Sequence, residues 1–365
     1  MTDVTTAVDP DKFAALLCDW CLEAQPGEQI LVESTSVAEP LMVALHKALL
    51  QRGAWPLLRM QPPSLGVDLL AHARPEQLDG YAPLELLEAQ QMDASLRVMA
   101  PLTANPMAGI DPALSARKAR AIAPLREARS KHRWALSIWP TPGLAELAGM
   151  PLATYAEFLS RALLLDHENP LQAWSELETR QARVVERLTP GREVRIQSAG
   201  TDLTLNVEGR TWVNSNGKRN MPSGEVFTSP HEASANGVIV FDIPSNNAGT
   251  EVSGVRVEFR DGKAVSARAE VGDEALQAAL ATDDGARFLG EIGIGTNTGI
   301  DRATGSTLLD EKIAGTIHLA LGRSYPEAGG LNESALHWDL ICDLRGGGTV
   351  TVDGEQFIVD GAMQL

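Results

Sequence analysis

Imidazole, phenol and carboxylate side chains crowd into one stretch of this chain, from Asp310 to Asp343, DEKIAGTIHLALGRSYPEAGGLNESALHWDLICD. Successive side chains of a β-strand point to opposite faces. The HWD triplet therefore puts His337 and Asp339 on one face and Trp338 on the other, a two-ligand clip. The same alternation in GTIHLALG sends Ile317, Leu319 and Leu321 into a core. It leaves His318 between Thr316 and Ala320 on a face of small or polar residues, with room around the ring. Tyr325, between these two strands, adds a hydroxyl.

Two glutamates upstream share this character. Glu225 in NMPSGEVFTSP and Glu291 in RFLGEIGIGTN each follow a glycine in a turn-like stretch beside apolar residues. A carboxylate so placed is costly unless a cation neutralises it. Three carboxylates meeting at one point would also repel one another and raise each other's pKa, which two divalent cations would relieve. Oxygen and imidazole donors suit zinc, cobalt or manganese, and the lack of thiolate ligands argues for an open catalytic site over a closed structural zinc. Two cations about 3.5–4 Å apart could activate a water and polarise a carbonyl. Spacing alone leaves plainer readings open, with Glu225 as a cap, Glu291 as a surface charge and HWD as an exposed strand face.

Other motifs read as packing. Cys18 and Cys21 form a CxxC inside an apolar-periodic helix with no second CxxC, and His46 lies among leucines on another helix, expected to be packed. GIGTNTG is not GxGxxG and no helical run follows it, so no dinucleotide site is expected. No GxSxG elbow is present.

The elements that must position these residues change texture along the chain. Residues 11–25 carry apolar residues at helical spacing and lead into PGEQILVES, a strand. EPLMVALHKALLQRGAWPLLRM repeats that scheme, with Gly53 ending the helix. LRVMAP and WALSIWP look like buried strands between helical stretches, so the N-terminal half reads as an α/β domain with a mostly parallel sheet. From about Val194 the pattern becomes β-rich, with Asp261-Gly262 and Asp353-Gly354 at hairpin turns. The boundary is expected near Pro190-Gly191, giving an α/β domain over 1–190 and a β-rich α+β domain, carrying the candidate ligands, over 191–365.

The 365 residues favour two domains over one, and 44% hydrophobic with 22% charged residues fits a globular chain. A net charge of −17 argues against nucleic acid or an anionic membrane as partner and favours a cation. No segment is long and apolar enough to span a bilayer. Three cysteines and an N-terminus without a basic-then-apolar pattern point to the cytoplasm.

Taken in order, NMPSGEVFTSP, the LGE of RFLGEIGIGTN, DEKIAGTIHLALGRSY and NESALHWD resemble the signature blocks of the aminopeptidase T / aminopeptidase S family of two-metal aminopeptidases. The likeness is dense from about Asn220 to Asp343 and looser in the N-terminal half, at PGEQILVES, LRVMAP and NP. The resemblance implies metal ligation by Glu225, Glu291, His318, His337 and Asp339, with Glu291 bridging two metals and Tyr325 beside the reacting carbonyl. Glu311 sits nearby in the motif, equally readable as a structural ion-pair residue. The resemblance further implies a homodimer acting on peptides with a free N-terminus. A mononuclear Fe(II) ring-cleaving dioxygenase of the dihydroxypyridine type is similar in fold and shares His-x-Asp, and is the rival reading. In a third, non-enzymatic reading the metals only brace a binding module.

Overall fold

The computed structural model describes residues 4–247 and 249–365. Its contacts group the chain into two units, one running to Ala173 and including Gly217–Pro222, the other Trp174–Asn216 with Ser223–Leu365. The first unit is built on a five-stranded parallel sheet. In spatial order its strands are Trp55–Gln61, Gln29–Thr35, Ala94–Met99, Arg133–Ile138 and Asn220–Met221. Helices connect the strands, as a parallel ladder requires. The first helix starts where Asp9 accepts hydrogen bonds from the backbone N–H groups of Asp11 and Lys12, with Pro10 fixing the first turn.

Several expectations change at this level. The helix expected over 11–25 is regular only over Pro10–Leu16 and then widens into a π-type turn over Leu17–Cys21. His46 is exposed and not packed. The buried stripe of its helix, Glu39–Gln51, runs through Leu41, Met42, Leu45, Ala48 and Leu49, and at 3.6 residues per turn position 46 falls outside it. The compact units divide at Ala173–Trp174. Pro190-Gly191 marks instead the end of the Pro170–Leu188 helix, whose Val184 and Leu188 are buried in the core of the second unit.

The second unit is built on two large antiparallel sheets, with a two-stranded antiparallel pair, Ser245–Asn247 and Thr250–Val252, beside them in the sequence. The eight-stranded sheet runs Lys263–Arg268, Val255–Arg260, Asn236–Phe241, Thr201–Asn206, Glu193–Ser198, Thr349–Val352, Glu355–Val359, Ala362–Met363. Its tight turns use Asp261-Gly262 and Asp353-Gly354 with positive φ at all four residues, as two-residue hairpins require. The five-stranded sheet runs His337–Asp343, Thr316–Gly322, Leu289–Gly295, Glu225–Thr228, Val213–Ser215. Alternate residues of both sheets, among them Ile196, Leu203, Val257, Ile292, Leu319 and Leu340, form one apolar cluster. Each such side chain, fully buried, contributes about 1.5–3 kcal/mol. Among the described residues no helix is long and apolar enough to cross a membrane.

Candidate metal centre

Four neighbouring strands of the five-stranded sheet carry the candidate ligands. Ile292, Ile294, Ile317, Leu319, Leu321, Trp338, Leu340 and Cys342 point from one face into the apolar core. The other face therefore presents Glu225, Glu291, His318, His337 and Asp339. Strand register brings them together: Glu291 lies opposite Ala320, which lies opposite Asp339, while Glu225 lies opposite Gly295 and His318 opposite Gly293. A register shift between Leu289 and Glu291 places the glutamate in this row.

Glu291 is thus not in a turn, as its sequence context suggests, but inside a strand whose seven residues are all buried. The face around His318 is likewise closed, since every residue of Thr316–Gly322 is buried. The room for its ring comes from the next strand. A Cβ at Gly293 would lie 2.1 Å from the imidazole Cε1 and Nε2. Trp338 enters the core as the alternation requires and donates from Nε1 to the hydroxyl of Ser245 at 2.9 Å.

The polar atoms meet in two groups. His318 Nε2 lies 3.4 Å from Glu291 Oε1 and 3.5 Å from Glu225 Oε2. His337 Nε2 lies 3.5 Å from both Glu291 Oε2 and Asp339 Oδ2. In each set of three, Glu225 with Glu291 and His318 and Glu291 with His337 and Asp339, the ligand atoms lie within 4.8 Å of one another. Glu291 belongs to both and offers a different oxygen to each histidine. These separations exceed a good N–H···O bond. They match the spacing of about 3.4 Å between tetrahedral ligands each about 2.1 Å from a metal ion.

Supporting contacts fit the same assignment. His337 Nδ1 donates to the carbonyl of Arg323 at 2.8 Å, which leaves the Nε2 lone pair facing the carboxylates. Asp339 Oδ1 is buried with no hydrogen-bond partner, a costly state that a cation would relieve. Tyr325 Oη is 3.4 Å from His337 Nε2, and its ring packs against Phe227 at 5.3 Å between centroids.

The charges explain the proton affinities. Burial opposes the charged form of His318, but Glu291, Glu225 and Asp339 outweigh it and push the imidazole up to about 10. His337 is pushed up to about 9, with Asp339 overcoming burial there as well. Asp339, although buried, is held down at about 2 by His337. Burial raises Glu291 above the usual carboxylate range, and the nearby Asp339 and Glu225 charges add to the rise. In metal-free protein, protons would do part of the neutralising that cations do in the loaded form.

Sequence reasoning missed the second layer of residues. Lys312 is fully buried, pairs with Glu311 and places Nζ 3.5 Å from Glu225 Oε1. Its position in DEK gives no hint of burial. Gln181 donates from Nε2 to the backbone carbonyls of Glu225 and Ser215, and Asn297 donates from Nδ2 to the carbonyl of Ser223 at 2.7 Å. Gly224, at φ 118°, passes so close to Asn297 that a Cβ would lie 2.7 Å from the Asn297 Cβ. GIGTNTG, which holds no dinucleotide signature, contributes this asparagine. The CxxC thiols are free and buried, and burial pushes Cys18 up to about 12.

Comparison with known proteins identifies relatives along the whole chain. Aminopeptidase 2 of Geobacillus stearothermophilus is 30% identical, with 95% of each chain covered. Aminopeptidase T of Thermus thermophilus is 31% identical over 67% of this chain and 65% of its own. The solved structure of wild-type AmpT from Thermus thermophilus superposes with a TM-score of 0.84 at 26% identity, covering 98% of this chain and 99% of that one. A 2,5-dihydroxypyridine dioxygenase from Pseudomonas putida KT2440 shares the fold alone, with a TM-score of 0.60 at 15% identity over 98% and 97% of the two chains. Residues 8–360 match the thermophilic metalloproteases (M29), and the chain belongs to that family of peptidases.

Proposed function

We propose that this chain is an aminopeptidase that releases N-terminal residues from peptides with two divalent cations, zinc, cobalt or manganese, as cofactors. The observation that carries the reading is Glu291, whose two oxygens face two separate histidine-carboxylate groups. Glu225 and His318 would hold one cation, His337 and Asp339 the other, and Glu291 both. Bound there, the cations supply Lewis acidity toward a water and a peptide carbonyl.

The chain's own groups do the rest. Glu291 takes the proton of the attacking water and returns it to the leaving amine. Burial and the surrounding carboxylates push the Tyr325 phenol up, so it stays protonated and can donate to the oxyanion of the tetrahedral adduct. The ring contacts to Phe227 and His337 hold it in place. The acidic site attracts the free ammonium of a peptide. A cytoplasmic homodimer is the form expected from the family resemblance.

A mononuclear Fe(II) dioxygenase needs two histidines and one carboxylate. With its iron held by His318, His337 and Asp339, it would leave both Glu225 and Glu291 without a role. The test is to strip the protein with a chelator, then assay aminoacyl-p-nitroanilide hydrolysis and, separately, oxygen uptake with a dihydroxypyridine. Hydrolysis should vanish and return with cobalt, zinc or manganese, at two ions per chain. Full hydrolysis by demonstrably metal-free protein would sink the reading, as would iron-dependent oxygen uptake in its place.

A further inference from the structure

Tyr325 is carried by the connection over residues 323–336, and that loop is fastened on one side to a buried cation that has no part in the mechanism above. Arg210 has a side chain only 7% exposed and reaches the Pro230–Glu232 segment through one guanidinium nitrogen. That nitrogen donates to Glu232 Oε2 at 3.0 Å and Oε1 at 3.2 Å, and lies 3.3 Å from His231 Nδ1 and 3.4 Å from the carbonyl of Pro230. Glu232 Oε1 in turn accepts from the backbone N–H of Leu331 at 2.8 Å.

The attachment is repeated along the loop. Thr211 N–H, next to Arg210, donates to the carbonyl of Ala328 at 3.3 Å, and the backbone N–H of Tyr325 donates to Ser229 Oγ at 3.2 Å. The Arg210 stem lies under Gly329, where a Cβ would sit 3.3 Å from Arg210 Cδ. A Cβ at Gly330 would lie 2.6 Å from Ser229 Oγ, so that backbone is seated directly on the serine. The half of the loop that carries Tyr325 is therefore held at residues 325, 328 and 331, and two of these three anchors lead to Arg210 or its neighbour, whereas Asn332, Ser334 and Ala335 in the other half are held by Gly285 and Asp283. A buried guanidinium with one carboxylate partner is a strong constraint, because removing either partner strands the other charge.

We infer that Arg210, through Glu232, is a positioning residue for Tyr325: it sets where the phenol hydroxyl stands relative to His337 and does not touch the substrate. The inference rests on the reading of Tyr325 as the oxyanion donor. Misplacing a donor by about 1 Å costs on the order of 100-fold in rate.

The experiment is a double-mutant cycle on the metal-loaded protein with leucyl-p-nitroanilide, with metal content measured in every variant. Tyr325→Phe and Arg210→Met should each lower kcat by roughly 10- to 100-fold, with metal stoichiometry unchanged and KM within about 2-fold. The double variant should be no slower than Tyr325→Phe alone, because two changes acting through one hydroxyl do not multiply. Where Arg210→Met fails to fold, Glu232→Gln takes its place, since the amide oxygen still accepts from Leu331 while the ion pair is gone. Losses that multiply in the double variant would overturn the inference, as would an unchanged kcat in the Arg210 or Glu232 variant. An unchanged kcat in Tyr325→Phe would instead remove the donor role, and the positioning role with it.

Discussion

Both units draw carboxylates out of full solvent, Glu33 half-buried in the first and Glu225, Glu291 and Asp339 buried in the second, but they neutralise them differently. In the parallel sheet Glu33 is held by two arginines: Arg59 at 2.8 Å on Oε1, and Arg129 at 2.9 Å on Oε2 and 3.3 Å on Oε1. Arg59 also reaches Glu88 at 2.7 Å. In the candidate metal centre Glu225, Glu291 and Asp339, with Glu311 beside them, face two imidazoles and the ammonium of Lys312. In the first arrangement both oxygens of Glu33 accept from an arginine. The second has carboxylate charge in excess of protein cations, and one oxygen with no partner at all. A surplus of buried anions that the chain leaves unmatched is the physical mark of a site for something from outside.

One substitution type, carboxylate to amide, can sharpen or break this contrast. The largest effect is expected at the centre. Glu291→Gln keeps the shape but removes the charge and the basicity, and should lower kcat by at least about 100-fold at saturating metal. The metal-free variant should melt no lower than metal-free wild type, because a repelling charge has been removed. Near wild-type turnover with metal bound would remove Glu291 from the chemistry.

Asp310 is an intermediate case, buried and neutralised by dipoles instead of a guanidinium. It accepts from the Thr304 N–H at 2.8 Å, the Thr304 hydroxyl at 2.7 Å and the Gly305 N–H at 2.8 Å, yet burial still pushes it up to about 6. Its folded value exceeds its unfolded one, so the folded state binds its proton more tightly. Stability should therefore fall as pH rises from about 4 to about 6, with the full penalty above that. Measured by denaturant unfolding at several pH values, the balance between wild type and Asp310→Asn should move by up to about 3 kcal/mol toward the variant over that window. A gap that stays constant with pH would show that the carboxyl does not titrate there.

The smallest effect is expected at Glu33. Glu33→Gln should cost about 2 kcal/mol of stability, the worth of hydrogen bonds to charged partners, with kcat and metal content unchanged. A loss of metal or activity there would mean that the paired network is not merely structural.

Much of this was legible in the sequence, for identifiable reasons. Alternation in HWD and GTIHLALG is enforced by the β-strand itself, so the clip of His337 and Asp339 and the inward turn of Trp338 could be read directly. The two hairpin turns were readable because Asp-Gly pairs tolerate positive φ. What could not be read depends on residues far apart in the chain. Glu291 looked like a turn residue because its glycine neighbours suit turns, yet those glycines serve close approach between strands. Lys312 and Arg210 look like ordinary surface cations until the partners that bury them, Glu225 and Glu232, are brought alongside. His46 erred the other way, since a one-residue shift around a helix changes a packed position into an exposed one.

Gly293 gives the centre an unusual kind of fragility. Each of the five candidate ligands could be exchanged for another donor type with some coordination kept. At this glycine, by contrast, even the smallest side chain would occupy the volume of the His318 ring. Alanine, serine, valine, aspartate, arginine and cysteine all lie one nucleotide change from a glycine codon or its synonyms. Each would evict the imidazole without altering a single ligand. A survey of natural variants that scored only the metal-binding side chains would count such a chain as intact, so the presence of a bare backbone at this position is as good a marker of a working centre as the histidine it makes room for.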